Sequence, residues 1–160
     1  MNMRVYHELA PVFDEQSKVL ILGSLPSVKS REFHFYYMHP QNRFWKVLEG
    51  VFQEKIEDKK EFCLRHHLAL WDTISSCEIQ GSSDSSITSI KVQDLSIILN
   101  KAEIKAIITT GKKAHEIYQK YLYPLYKIND IPLPSTSSAN ASYSLERLMK
   151  EYQVILKYLL

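Results

Sequence analysis

Three short apolar runs, closed by a glycine, a carboxylate and a threonine, constrain this chain more than any other feature. Lys18–Gly23 reads Lys-Val-Leu-Ile-Leu-Gly, Leu68–Asp72 reads Leu-Ala-Leu-Trp-Asp, and Ile104–Thr110 reads Ile-Lys-Ala-Ile-Ile-Thr-Thr. Runs this short and this apolar are the mark of strands buried on both faces, as in a parallel sheet. Ile131-Pro132-Leu133-Pro134 reads as a fourth strand of edge type, because proline cannot donate to a ladder. Helical spacing falls between the runs. Phe44, Val47, Leu48 and Val51 lie at i, i+3, i+4 and i+7, and Ala114, Ile117, Tyr118 and Tyr121 repeat the pattern. Further helices are predicted over Asp58–His67, over Val92–Ala102 and from Leu145 to Leu159. Strands alternating with helices specify the α/β class: a three-layer α/β/α sandwich with a mostly parallel four-stranded central sheet. With 160 residues, 45% of them apolar, residues 1–160 are expected to form one domain.

In such folds ligands bind beyond the carboxyl ends of the strands. Four stretches should therefore share one mouth: Ser24–Asn42, Asp72–Ser89, Thr110–Lys113 and Ser135–Ser142. Thr73–Ser89 is polar and serine-rich and is predicted to be a long loop. Phe33–Trp45 is dense in aromatics yet follows neither the strand nor the helix period. It reads as a loop that turns into a helix, with Pro40 suited to the first helical position. Tyr36, Tyr37 and Asn42 would then sit at or before a helix N-terminus. Rings and an amide placed there suit a planar, hydrogen-bonding ligand such as a nucleobase. They equally suit a core filled by rings and a helix capped by Asn42.

Composition removes several classes. The net charge is only +2, so no basic tail announces nucleic acid, although a local basic face remains compatible. Cys63 and Cys77 are far apart and make no CxxC, and His34, His39, His66 and His67 have no metal-ligand spacing with acidic partners. No metal and no cofactor is expected. No signal-peptide or membrane-span pattern occurs, and a cytoplasmic location is expected. Gly111-Lys112-Lys113 opens a helix after a buried strand, which suits either a DNA phosphate seat or two solvated lysines.

Gly23-Ser24-Leu25-Pro26-Ser27, followed by His39-Pro40-Gln41-Asn42-Arg43-Phe44-Trp45, resembles the uracil-DNA glycosylase superfamily. Leu70-Trp71-Asp72, Ser75-Ser76-Cys77, Gly81–Ile87 and Pro134–Asn140 extend the resemblance toward its hypoxanthine-DNA (deoxyinosine) glycosylase family. The resemblance implies a monofunctional DNA N-glycosylase that flips out a deaminated base, hypoxanthine first, and hydrolyses its N-glycosyl bond without metal or cofactor. Gly23, Ser24, Leu25 and Pro26 would form the first motif, beside the sugar and the attacking water. Tyr37 would be the ring on which the flipped base stacks. Ser135, Ser137 and Asn140 would belong to the second motif, which presses the DNA backbone or fills the vacated stack.

One position departs from that pattern. Mismatch-specific members carry Asn just before the first-motif proline, where this chain has Leu25, and an aliphatic side chain cannot hold a water. Asn42 becomes the leading catalytic candidate, orienting water through its carbonyl or bonding the departing base through its amide. Asp72 can accept the N1–H that hypoxanthine has and adenine lacks, or can merely cap a loop. Asp84 can activate water or stabilise a sugar cation, or can form an Asx-turn. The expected partner is damaged DNA, bound by a monomer. Mismatch-specific uracil excision and a non-catalytic DNA- or nucleotide-binding module stay open as alternatives.

Overall fold

Val19, Leu20, Ile21 and Leu22 are all fully buried, so this run needs cover on both faces and hydrogen-bonded neighbours on both edges. The computed structural model supplies both; it describes residues 3–80 and 83–160, with the side chain of Asp84 outside that description. Among the described residues the strands are β1 (Met3–Tyr6), β2 (Val19–Gly23), β3 (Leu68–Asp72), β4 (Ile74–Ile79), β5 (Thr88–Val92), β6 (Ala106–Thr110) and β7 (Asp130–Leu133). The helices are α1 (Val28–Phe33), α2 (Phe44–Phe52), α3 (Lys59–Arg65), α4 (Ser96–Leu99), α5 (Lys112–Ile117), α6 (Tyr123–Tyr126), α7 (Leu145–Tyr152) and α8 (Val154–Lys157). The central sheet has four strands in the order β3-β2-β6-β7, and every pairing is parallel. Gly23 is in register with Asp72, and Leu22 with Trp71 and Thr109, so the carboxyl ends of three strands finish together. Helix α3 packs on β3, α5 on β6 and β7, and α2 against α7. The architecture is the expected α/β fold. No helix among the described residues is long and apolar enough to cross a membrane.

Three local expectations are corrected. About half of the predicted loop Thr73–Ser89 is β-structure: β4 pairs antiparallel with β1 and β5 in a second, three-stranded sheet. Ile74, Cys77 and Ile79 bury there with Ile87 and Ile117, and the surrounding serines hide that apolar set in the sequence. The predicted helix Val92–Ala102 shrinks to α4, because Val92 completes β5. Pro40 is not the first residue of a helix. It lies in a turn, and α2 starts at Phe44, while the unpredicted α1 begins after Ser27, whose hydroxyl accepts from the Ser30 N–H at 3.1 Å.

One glycine is required by backbone shape. Gly111 has φ 93° and ψ 161°, a region that side-chain-bearing residues scarcely enter. A Cβ there would also stand 3.3 Å from Cβ of Ser135, in the 134–143 loop. Gly111→Ala is expected to cost about 1–3 kcal/mol of stability, read as a lowered urea midpoint with an unchanged slope. An unchanged midpoint would mean that the turn relaxes without strain.

Candidate active site

A cavity of about 540 Å³ opens where β2, β3 and β6 end, within the range usual for ligand sites. All four loop regions that the sequence placed at one mouth contribute to it. Gly23, Ser24, Leu25, Pro26, Tyr37, Asn42, Asp72, Ser135 and Ser137 line it, joined by Thr110 and Thr136. Lys112, Lys113 and Asn140 do not. Lys112 is exposed at the start of α5, one residue from the Gly111–Ser135 contact, so it stands at the rim. Asp84 begins a single 3₁₀ turn, and its side chain lies outside the described residues, as do Gly81 and Ser82.

Asn42 is held by its oxygen. Oδ1 accepts from the Phe44 backbone N–H at 2.9 Å and from the Thr136 hydroxyl at 2.8 Å. A backbone N–H can only donate, so the oxygen must face it, which fixes the amide orientation. Asn42 is therefore not the N-cap, a position taken by Arg43, but it serves the first turn of α2 from one residue further back. With the carbonyl engaged twice, the NH₂ group is what Asn42 has left to offer a ligand in the cavity.

Tyr37 has φ 56°, a left-handed conformation that is rare for a bulky residue and is the kind of strain found at functional sites. One face of its ring stacks on Phe44 at 3.8 Å between centroids and 13° between planes. Tyr37 also lines the cavity, so the opposite face is the one a ligand there could meet. Its hydroxyl meets Thr110 Oγ1 at 3.2 Å. Burial raises the Tyr37 phenol well above its ordinary pKa, and the nearby Asp72 charge adds to the effect. The ring stays neutral at physiological pH.

Asp72 ends β3 at the cavity floor and is 3% exposed. Its Oδ2 pairs with His7 Nε2 at 2.8 Å. Its Oδ1 lies 2.5 Å from where a Cβ on Gly23 would be, so the first-motif glycine leaves room for the carboxylate.

The second-motif loop is tied down by Arg43. Its guanidinium donates to the carbonyls of Ser137 at 2.9 Å, Asn140 at 3.1 Å and Thr136 at 3.4 Å, and to that of Tyr143. Its backbone N–H donates to the Thr136 carbonyl at 3.0 Å. Asn140 spends its amide inside the loop, donating from Nδ2 to the Ser135 carbonyl at 3.0 Å. Sequence reasoning missed Arg43, Thr136 and His7. Arg43 and Thr136 lay within quoted motifs but carried no assigned role, and His7 had no local signal at all.

The uracil DNA glycosylase superfamily model matches residues 10–159. The chain belongs to this superfamily. Two relatives are named hypoxanthine DNA glycosylase. The one from Methanosarcina barkeri is 34% identical over 136 residues, 81% of this chain and 85% of that protein. The one from Methanosarcina acetivorans is 33% identical over 153 residues, 92% of this chain and 95% of that protein. An NMR solution structure of a candidate uracil DNA glycosylase from Methanosarcina acetivorans superposes with a TM-score of 0.82 at 30% identity, covering 98% of this chain and 99% of that one.

A lysine ammonium cannot reproduce the planar fork of a guanidinium. Arg43→Lys is therefore expected to speed amide hydrogen exchange across 137–143 by about tenfold or more, while β2 and β6 keep their rates. Unchanged exchange in the loop would mean that its other hydrogen bonds suffice to hold it.

Proposed function

We propose that this chain is a monofunctional DNA glycosylase that flips a deaminated base, hypoxanthine foremost, into the cavity and hydrolyses its N-glycosyl bond. The observation that carries this reading is the meeting of three features in one cavity: an open Tyr37 ring face, a buried Asp72 carboxylate and the free NH₂ group of Asn42. Each meets a different requirement of base excision.

A flipped base loses its stacking and pairing, which costs a few kcal/mol and least at a mismatched or damaged pair. Stacking on Tyr37 returns roughly 1–3 kcal/mol of that. The Asp72 carboxylate at the floor accepts an N–H from the base edge. Hypoxanthine N1–H and uracil N3–H can both donate to it, and the cavity has room for the larger, bicyclic base. The base leaves with negative charge, and the Asn42 amide donates to it, in the manner of an oxyanion-hole donor. Leu25 takes no part in this chemistry beyond shaping the apolar wall, where it packs against the Ile74 cluster. Lys29, Lys112 and Lys113 around the mouth supply phosphate contacts, and the loop Ser135–Asn140 presses the backbone. Asp84 is proposed to act near the sugar. Residues 1–160 are proposed to work as a single domain, as a monomer on damaged DNA, in the cytoplasm.

The role of Asn42 is testable without disturbing the fold. Asn42→Asp keeps an oxygen for Phe44 N–H and Thr136 but swaps the donor for a negative charge. Single-turnover excision of hypoxanthine is expected to fall about 10²–10³-fold in Asn42→Ala and at least as far in Asn42→Asp. An active Asn42→Asp enzyme would make this residue a water-orienting acceptor instead.

Tyr37→Phe keeps the ring face and loses only the Thr110 contact, whereas Tyr37→Ala loses the platform. Binding to lesion duplex is expected to weaken by roughly 1–3 kcal/mol in Tyr37→Ala and by less in Tyr37→Phe. Equal losses would assign the effect to the hydroxyl.

A further inference from the structure

His7 is 1% exposed at its side chain and does not line the cavity. It is placed by the small sheet. Tyr6 pairs with Ser76, and the next backbone N–H, that of His7, donates to the Ser75 carbonyl at 2.8 Å. The ring lies between Tyr36, at 6.1 Å and 36°, and the edge-on Trp71, at 6.4 Å and 86°. Nε2 meets Asp72 Oδ2, while Nδ1 is buried with no hydrogen-bond partner.

That asymmetry selects a protonation state. A proton on Nδ1 would be a buried donor without an acceptor, which costs about 1–3 kcal/mol. The ring therefore carries its proton on Nε2 and donates it to Asp72. An ionised Asp72 needs that donor, because its other neighbours in the cavity floor are Gly23 and the rings of Tyr36 and Tyr37. The titratable groups around it are His7, from the segment after β1, and Tyr36 and Tyr37, from the loop after α1. Burial raises both phenols, so neither supplies charge. Strands β2 and β6 present Gly23 and Thr110, which do not titrate.

Resting on the hypoxanthine reading above, we infer that His7 is a specificity-determining positioning residue. Its Nε2–H occupies Asp72 Oδ2 and fixes the carboxylate so that the other oxygen, an acceptor, meets the base edge, which favours a lactam base over adenine. The chemistry is one of donors and acceptors. A carboxylate oxygen accepts N1–H of a lactam base and meets the N1 lone pair of adenine. Without the His7 donor the carboxylate loses the contact that fixes its orientation, and with it the alignment that tells the two bases apart. The small sheet, which lends only Ile79 to the cavity wall, thus acts on the site through the residue that follows β1.

The test is single-turnover excision from duplexes carrying hypoxanthine or adenine, with wild type, His7→Phe and His7→Gln. Phe keeps the ring packing and removes the donor, and Gln returns an N–H near the Nε2 position. In His7→Phe hypoxanthine excision is expected to slow about tenfold, and the hypoxanthine-over-adenine preference to fall by a similar factor. His7→Gln should restore both. A His7→Phe enzyme with the wild-type rate and preference, or an equal loss on both bases, overturns the inference while leaving the excision reading intact. A wild type that leaves hypoxanthine in place removes the reading and the inference together. Nitrogen NMR of the wild-type imidazole gives a check that needs no variant: the Nε2–H tautomer is expected, and the Nδ1–H tautomer contradicts the inference.

Discussion

The architecture of the site depends on a fastening between two loops 94 positions apart in sequence, where Thr136 donates its hydroxyl to Asn42 Oδ1. The neighbouring Arg43 gathers four carbonyls of the same distant loop onto one guanidinium. Charged donors make the stronger hydrogen bonds, and a planar fork adds direction to them. The N-terminus of α2, the proposed leaving-group donor and the loop proposed to face DNA thereby form a single unit. Arg43 takes its fixed place because Phe44 and Trp45 beside it anchor in the core, and because the α2 face that follows buries Val47, Leu48 and Val51. A surface loop of serines could not hold a phosphate contact without such internal ties, since each small side chain contributes only about 1 kcal/mol.

Around that unit the cavity separates three kinds of interaction by depth. At the floor is a carboxylate among buried rings, where charge is felt most strongly because water is scarce. Along the wall is a tyrosine whose back is covered by Phe44, so that its orientation is set before any base arrives. Near the mouth are hydroxyls, backbone amides and lysines, groups that contact phosphate without reading sequence. This order matches a flipped nucleotide, with its base edge innermost and its phosphates outermost. The strained backbone at Tyr37 fits the same scheme: the loop gives up conformational ease to aim a ring.

Much of this was legible in the sequence because it follows from local pattern. The buried strands were visible as unbroken apolar runs, and the parallel order of their carboxyl ends gathered the correct loops. What stayed hidden depended on contacts between distant segments. Strand β4 carries Ser75, Ser76 and Glu78 among its apolar residues, so its burial was masked by interspersed polar residues, one of which, Ser76, is itself buried. His7 reaches Asp72 only through the register of β1 on β4, and nothing around it in the chain announces that. Asn140 looked like a free amide but closes its own loop, and Asn42 looked like a helix cap but sits one residue early, with its nitrogen spare. Leu25 left the first-motif position without a polar side chain in the sequence, and in the cavity the polar side chains of Asn42 and Asp72 come from neighbouring elements.

Abasic-site formation by the wild-type chain on duplexes that differ at one position tests the central claim most directly. Three duplexes, with hypoxanthine, uracil or unmodified adenine at that position, are incubated with excess protein and then cleaved at abasic sites. The expected result is strand cleavage at hypoxanthine, with uracil no faster and the adenine duplex intact. Intact strands on both lesion duplexes, from a folded protein that still binds them, would contradict it and leave a DNA-binding module without catalysis.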